Sequence, residues 1–156
     1  MAITTTKVSE IGPADAWGML SSNPLARMVD VRTKAEWSFV GLPDLSPAGQ
    51  RVWTVEWVGF PSMAPNTRFL QELVEHASAD PGLGGTMPET LLFICRSGAR
   101  SMMAAQTVAA QGEATGIGAP AHCINVAEGF EGDLDAAGHR GNKNGWKVAG
   151  LPWRQG

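Results

Sequence analysis

Short apolar runs alternate along the chain with segments whose apolar residues recur at helical spacing. This pattern predicts strands over 27–31, 51–58, 91–94 and 122–126, and helices over 13–20, 33–39, 66–77 and 99–111. Thr33 and Glu36 have the spacing of a capping box at the start of the second helix. Loops rich in Gly and Pro separate the elements, and residues 129–156 show no clear period. The alternation predicts βαβ units, and hence an α/β fold with a mostly parallel sheet that is covered on both faces.

Composition and charge limit the class of protein. The chain has 156 residues, of which 44% are hydrophobic and 17% charged, as is typical of a soluble globular protein. The net charge of −3 gives no reason to expect a nucleic acid partner, although a local group of arginines can still bind a small anion. Residues 1–10 lack the features of a secretory signal, and no apolar window is long enough to span a bilayer. We therefore expect a cytoplasmic protein with no membrane partner.

The two cysteines, Cys95 and Cys123, are not expected to form a structural disulfide in a reducing compartment. The chain also lacks a CxxC motif and clustered His and Cys ligands, so we expect no metal site. Cys123 lies within the predicted strand 122–126, and we interpret it as a buried, inert thiol. The alternative is that it resolves a species carried on Cys95 as a disulfide.

Cys95 lies at a junction between a strand and a helix, in the sequence Cys95-Arg96-Ser97-Gly98-Ala99-Arg100-Ser101. Ligands of open α/β sheets bind beyond the carboxyl ends of the strands, which is where this cysteine is expected. The unpaired N–H groups of a helix start, its positive dipole end and two arginines all favour the thiolate, the nucleophilic form. A lone cysteine is more often a small buried hydrophobe, but two arginines and a glycine are poor choices for packing alone. The set therefore favours a catalytic role.

Asp30 and Arg32 follow the first predicted strand and could line the same crevice. The alternative, which we favour, is a structural pair that ties loops together. Trp57, Trp146 and Trp153 are further candidates for the wall of a pocket, although tryptophans are more often core residues.

The sequence from Cys95 to Ser101 resembles the active-site loop of rhodanese-like sulfurtransferases. Val29-Asp30-Val31-Arg32, followed by Glu36-Trp37, resembles the first signature of that family, and Val126-Ala127-Glu128-Gly129-Phe130 resembles the segment after its last strand. The histidine that usually follows the first signature is missing, since the chain has Gly41-Leu42-Pro43 there. The tail resembles the C-terminal extension of a bacterial subgroup.

The resemblance implies a rhodanese-like fold over 1–132, with a central, mostly parallel five-stranded sheet and helices on both faces. An irregular extension over 133–156 would pack on this domain. The resemblance further implies that Cys95 takes a sulfane sulfur from a small anionic donor such as thiosulfate and passes it to a thiophilic acceptor, without a cofactor. Backbone N–H groups from Arg96 to Ser101 would stabilise the persulfide, Arg96 would attract the donor, and Arg100 would hold the loop.

Loop length distinguishes two enzyme classes that share this fold. Related phosphatases and arsenate reductases have one more residue between cysteine and arginine than the four that separate Cys95 from Arg100 here. The shorter loop suits a single sulfur atom rather than a tetrahedral phosphate. A second function stays open, namely a module that binds a partner or delivers sulfur to a dedicated protein acceptor. The sequence leaves the physiological donor, the acceptor and the oligomeric state open.

Overall fold

The computed structural model describes residues 8–155 of the chain. The α-helices are α1 (Pro13–Ser22), α2 (Lys34–Phe39), α3 (Phe69–Ala79) and α4 (Ala99–Gln111). The strands are β1 (Ser9–Ile11), β2 (Ala26–Asp30), β3 (Leu42–Pro43), β4 (Trp53–Thr54), β5 (Val58–Gly59), β6 (Ala64–Pro65), β7 (Thr90–Ile94), β8 (His122–Val126) and β9 (Trp153–Arg154). All four predicted helices are confirmed, and α4 and β8 have the predicted bounds. Among the helices of residues 8–155, none has the length and apolar character required to cross a membrane.

Five strands form the central sheet in the order β1-β8-β7-β2-β4, and every neighbouring pair is parallel. The inner strands β2 and β7 are buried at every position, because helices and loops cover both faces. Along β7, Leu91 and Phe93 contact the cluster that includes α3 and α4, whereas Leu92 and Ile94 contact the cluster that includes α1. This alternation, with helices on both faces of a parallel sheet, confirms the predicted α/β architecture.

The predicted strand 51–58 is wrong in extent. Only β4 pairs with the central sheet, and Val58 belongs to the separate antiparallel hairpin of β5 and β6. The apolar pattern arises because Trp53 and Val55 are core residues, and Val55 N–H continues to bond Asp30 O beyond the end of β4. Strand β1 was not predicted, since this edge strand is largely exposed and therefore carries no apolar run.

The segment over 133–155 is mostly turns, and it also contributes to the core. Trp146 is fully buried in the cluster that includes α1, where its ring packs edge-on against Trp17 at 6.0 Å. Strand β9 pairs antiparallel with β3. The division of the chain at residue 132 stays a prediction, and residues 1–7 and 156 at its two ends lie outside the described residues.

Candidate functional site

Cys95 follows directly after β7, and its side chain continues the alternation of that strand into the cluster of α3 and α4. The sulfur accepts a hydrogen bond from the backbone N–H of Gly98 (3.1 Å) and lies 3.2 Å from Ser101 Oγ. Gly98 precedes the first residue of α4 and has φ of +116°, a conformation that favours glycine. The turn therefore places the start of α4 and its positive dipole end beside the sulfur of Cys95, a residue that is only 1% exposed.

The loop is held from behind by the segment that follows β8. Phe130 N–H donates to Cys95 O (2.8 Å), and Glu131 N–H donates to Arg96 O (3.0 Å). Gly129 makes this close approach possible, because a Cβ at that position would lie 2.5 Å from Cys95 O and 2.6 Å from Arg96 O. These contacts give a physical reason for glycine in the Val126–Phe130 segment.

Arg100 points to α2, where both of its terminal nitrogens donate to Glu36, at 2.7 Å to Oε1 and 2.9 Å to Oε2. The same carboxylate accepts from Thr33 N–H and so completes the capping box of α2. Partial burial acts to raise the pKa of Glu36, but the hydrogen bonds from Arg100 and Thr33 and the charge of Arg100 outweigh it and lower the pKa to about 2. The reciprocal hydrogen bond raises the pKa of Arg100. Arg100 thus ties the loop to α2, a link that spacing alone did not indicate.

Asn125, on β8, is a second residue that sequence reasoning missed. Its side chain is almost fully buried, with Oδ1 2.6 Å from Ser101 Oγ and Nδ2 2.7 Å from Glu10 Oε2. Nδ2 also donates to Gly98 O at 3.2 Å. The available signal was a polar side chain inside a buried strand, which requires hydrogen-bond partners.

Asp30 and Arg32 do not line the crevice. They form an ion pair (2.7 Å) whose side chains are both 0% exposed, and Arg32 also donates to Gly41 O. The Arg32 guanidinium lies 4.4 Å from the centroid of the Phe130 ring. The pair therefore ties the end of β2 to two loops, which is the alternative favoured from the sequence.

Cys123 is remote from the site. The register of β7 and β8 pairs it with Leu91, four residues before Cys95. The two cysteines therefore lie roughly 13 Å apart along the strands, well beyond the reach of a disulfide. Burial raises the pKa of the Cys123 thiol to about 11, which makes the thiolate scarce at neutral pH.

A cleft of about 760 Å³ opens on the outer side of the loop. Its charged lining residues are Glu36, Arg96, Arg100, Glu131 and Arg140, and its apolar lining residues include Phe60, Pro61, Met63 and Leu134. Arg96 is exposed at the cleft, and Arg140 is held by a hydrogen bond from Nη1 to Gly132 O (2.7 Å). Cys95 itself is not on the cleft wall.

None of the three tryptophans named as candidates for a pocket wall, Trp57, Trp146 and Trp153, lines this cleft. Trp57 packs edge-on against Phe69 in the core, and Trp146 is buried on the other side of the sheet. Within residues 8–155, no three His, Cys, Asp or Glu side chains are grouped so that they could hold a metal ion.

Two solved structures show the fold of the chain at low sequence identity. One is a polysulfide-sulfur transferase homodimer from Wolinella succinogenes, with a TM-score of 0.51, 19% identity and coverage of 96% of this chain and 80% of that one. The other is RPA3614 from Rhodopseudomonas palustris, described as a possible tyrosine phosphatase, with a TM-score of 0.54, 19% identity and coverage of 99% of both chains.

Two other proteins are similar in sequence over nearly their whole length. Rv0390 from M. tuberculosis is 45% identical, with a TM-score of 0.73 and coverage of 96% of this chain and 98% of that one. The uncharacterized RP600 homolog of Rickettsia rickettsii is 33% identical over 147 residues, which is 94% of this chain and 98% of that protein. No protein-family model matches the chain. The chain therefore belongs to the family of the Rickettsia RP600 proteins and Rv0390, and it has the rhodanese-like fold.

Proposed function

We propose that the chain is a sulfurtransferase that carries a sulfane sulfur as a persulfide on Cys95. The observation that carries this proposal is the set of hydrogen-bond donors around the Cys95 sulfur at the end of β7. Gly98 N–H donates to Sγ at 3.1 Å, and the Ser101 hydroxyl lies at 3.2 Å. The arrangement can stabilise negative charge on Sγ, and the same groups are near enough to serve a second sulfur bonded to it.

The reaction proceeds in two displacements. The Cys95 thiolate attacks the outer sulfur of thiosulfate, the S–S bond of the donor breaks, and sulfite leaves with its electron pair. The enzyme then holds a Cys95 persulfide. A thiophilic acceptor such as cyanide attacks the outer sulfur, thiocyanate leaves, and the thiolate of Cys95 returns. No cofactor or external oxidant takes part.

The cleft supplies a place for anionic donors. Arg96 is exposed at its wall, and Arg140 faces the same space from the C-terminal segment. Two cations at the entrance would attract thiosulfate or a polysulfide. The Wolinella protein of the same fold is named a polysulfide-sulfur transferase. Glu131 on the same wall moderates this positive charge.

A phosphatase is the less favoured reading, although RPA3614 shares the fold and is described as a possible tyrosine phosphatase. Phosphate chemistry would need the loop arginine to bind the phosphate oxygens. Arg100 already donates to both carboxylate oxygens of Glu36. The four-residue spacing also gives a shorter loop than that of the related phosphatases, which suits a single transferred sulfur atom on Cys95 rather than a phosphate held by the loop.

A protein thiol is a second class of acceptor, favoured by the apolar side of the cleft. Phe60, Met63 and Leu134 are 67%, 44% and 51% exposed, and all three line it. Exposed apolar side chains grouped beside a reactive site are typical of a surface that binds another protein. In this case the chain would pass its sulfur to a dedicated partner rather than to cyanide.

Intact mass spectrometry tests the proposal. After incubation with thiosulfate, and separately with polysulfide, we expect a gain of one sulfur atom that cyanide removes. Cys95→Ser should gain none, whereas the matched variant Cys123→Ser should behave as the wild type. A wild-type chain that gains no sulfur from either donor contradicts sulfur transfer and favours a binding role. Hydrolysis of a phosphate ester that depends on Cys95 would favour the phosphatase.

A further inference from the structure

The orientation of the Asn125 amide is determined by its neighbours. Nδ2 lies 2.7 Å from Glu10 Oε2 and 3.2 Å from Gly98 O. A carbonyl oxygen only accepts, and an ionised carboxylate also only accepts, so the NH₂ group must face both of them. The oxygen Oδ1 of Asn125 therefore faces Ser101, where it too can only accept.

Ser101 has a single hydroxyl hydrogen and three acceptors within reach. Its Oγ lies 2.6 Å from Asn125 Oδ1, 3.2 Å from Cys95 Sγ and 3.2 Å from Gly98 O. The short contact to Asn125 requires the hydrogen, because Oδ1 has none to offer. A lone pair of Ser101 then faces the sulfur. This arrangement suits a protonated thiol, which can donate its S–H to Ser101. A thiolate would still accept from Gly98 N–H, but it would receive no hydrogen bond from the Ser101 hydroxyl.

We propose that Asn125 is a positioning residue that holds the Ser101 hydrogen away from Cys95 while the sulfur is protonated. When Cys95 ionises and its proton passes to solvent, the Ser101 hydroxyl turns and donates to the sulfur. The bond between Ser101 and Asn125 is lost in that step, so Asn125 opposes formation of the thiolate. The inference rests on the proposed function only in taking Cys95 as the reacting group.

Other charged groups act on the same sulfur and are left intact by the test below. Arg100 contributes a favourable charge interaction with Cys95, and Glu36 is paired with that arginine. Arg96 follows Cys95 in the chain, and Glu10 lies on the far side of Asn125. The buried Asp30 is paired with Arg32. Glu128 lies near Gly98 through its backbone nitrogen, and its carboxylate accepts from Gly145 N–H. Every variant keeps these groups, but Asn125→Leu also removes the hydrogen bonds from Nδ2 to Glu10 and Gly98 O. Only the part of its shift that disappears when Ser101 is absent therefore reports on the Ser101–Asn125 pair.

The experiment follows the ultraviolet absorbance of the thiolate as a function of pH, in a Cys123→Ser background. The chain contains no tyrosine, so no phenolate masks the signal. Asn125→Leu keeps the size of the side chain and removes the acceptor, which frees the Ser101 hydrogen. We expect its midpoint to fall by roughly 0.5–1 pH unit, the equivalent of one neutral hydrogen bond. Ser101→Ala should raise the midpoint, because the thiolate then loses its hydroxyl donor.

The double variant Ser101→Ala/Asn125→Leu separates positioning from general structural effects. If Asn125 acts through Ser101, the double variant should have the midpoint of Ser101→Ala alone. A midpoint of Asn125→Leu that is unchanged or raised overturns the inference. The inference also fails if Asn125→Leu shifts the midpoint equally in the wild type and in the Ser101→Ala variant. Tryptophan fluorescence checks the fold, and Asn125→Ala replaces Asn125→Leu if the latter does not fold. The absorbance measurement needs no sulfur donor. A chain that forms no persulfide would therefore refute the proposed function, while the pH midpoints of the variants would still test the role of Asn125.

Discussion

Replacement of Gly129 by alanine tests the contact that holds the reactive loop from behind. Gly129 has φ of +66°, and an added Cβ would lie 2.5 Å from Cys95 O and 2.6 Å from Arg96 O. Both contacts are with backbone atoms, which cannot rotate away as a side chain can. The same two oxygens accept from Phe130 N–H and Glu131 N–H, so a retreat of the loop would stretch those hydrogen bonds.

The expected loss of stability in Gly129→Ala has two parts. The left-handed conformation costs about 1–2 kcal/mol for a residue with a Cβ, and a forced backbone shift costs a further ~1–3 kcal/mol by comparison with overpacked cores. Gly116→Ala is the matched control, because Gly116 has φ of +84° and a Cβ there would meet nothing within 4 Å. We expect Gly116→Ala to lose only the stability that the left-handed conformation costs, about 1–2 kcal/mol.

Urea unfolding, followed by tryptophan fluorescence, measures the free energy of unfolding of both variants. Intact mass after incubation with thiosulfate measures persulfide formation. Gly129→Ala should be the less stable of the two and should load sulfur more slowly than the wild type, whereas Gly116→Ala should load normally. Equal destabilisation of the two variants, or normal loading by Gly129→Ala, would refute the reasoning.

Three further predictions concern the surroundings of the loop. The pKa of Glu36 is about 2 rather than 4.5, so its stabilising effect is fully present above pH 4.5 and is lost as the pH falls towards 2. Urea unfolding should show that Glu36→Gln, which leaves Arg100 unpaired, loses about 2 kcal/mol at neutral pH and lacks this part of the acid dependence. Trp146→Ala should lose about 3–5 kcal/mol in the same assay, and Trp153→Ala only about 1 kcal/mol. In steady-state kinetics, Arg96→Ala should raise KM for thiosulfate several-fold with little change in kcat.

Each of these has an outcome that contradicts it. An acid dependence that is unchanged in Glu36→Gln would mean that another group is responsible for it. If Trp146→Ala is no less stable than Trp153→Ala, the C-terminal segment is not part of the core. A fall in kcat with unchanged KM would assign Arg96 to the chemical step rather than to attraction of the donor.

The part of the site that the sequence predicted is the part that is local in the chain. The strand, the turn and the helix start around Cys95 lie within a few residues of one another, so their chemistry follows from neighbours. The residues that contact this loop from elsewhere in the fold could not be predicted in this way. Glu36 lies 64 residues before Arg100, and Asn125 lies 24 residues after Ser101, and no spacing rule joins them. Only the tertiary structure brings these residues to the loop.

The same distinction applies to the fold. Strand β7 was predicted because it is buried on both faces and reads as an apolar run. Strands β1 and β9 were missed, since one is an exposed edge and the other has two residues. The absence of a hydrophobic period predicted irregular structure in the tail, but a period cannot show that a single side chain such as Trp146 is a core residue.

The burial of Trp146 has a consequence for how the protein is made. Its indole ring is buried in the core cluster that includes α1, and its backbone N–H donates to Gly129 O (2.8 Å), next to the contact that supports Cys95. During synthesis the earlier strands and helices leave the ribosome first, but this position stays empty until the tail follows. A nascent chain would thus complete the support of the Cys95 loop only when the tail has left the ribosome, and the proposed sulfur transfer would begin only then.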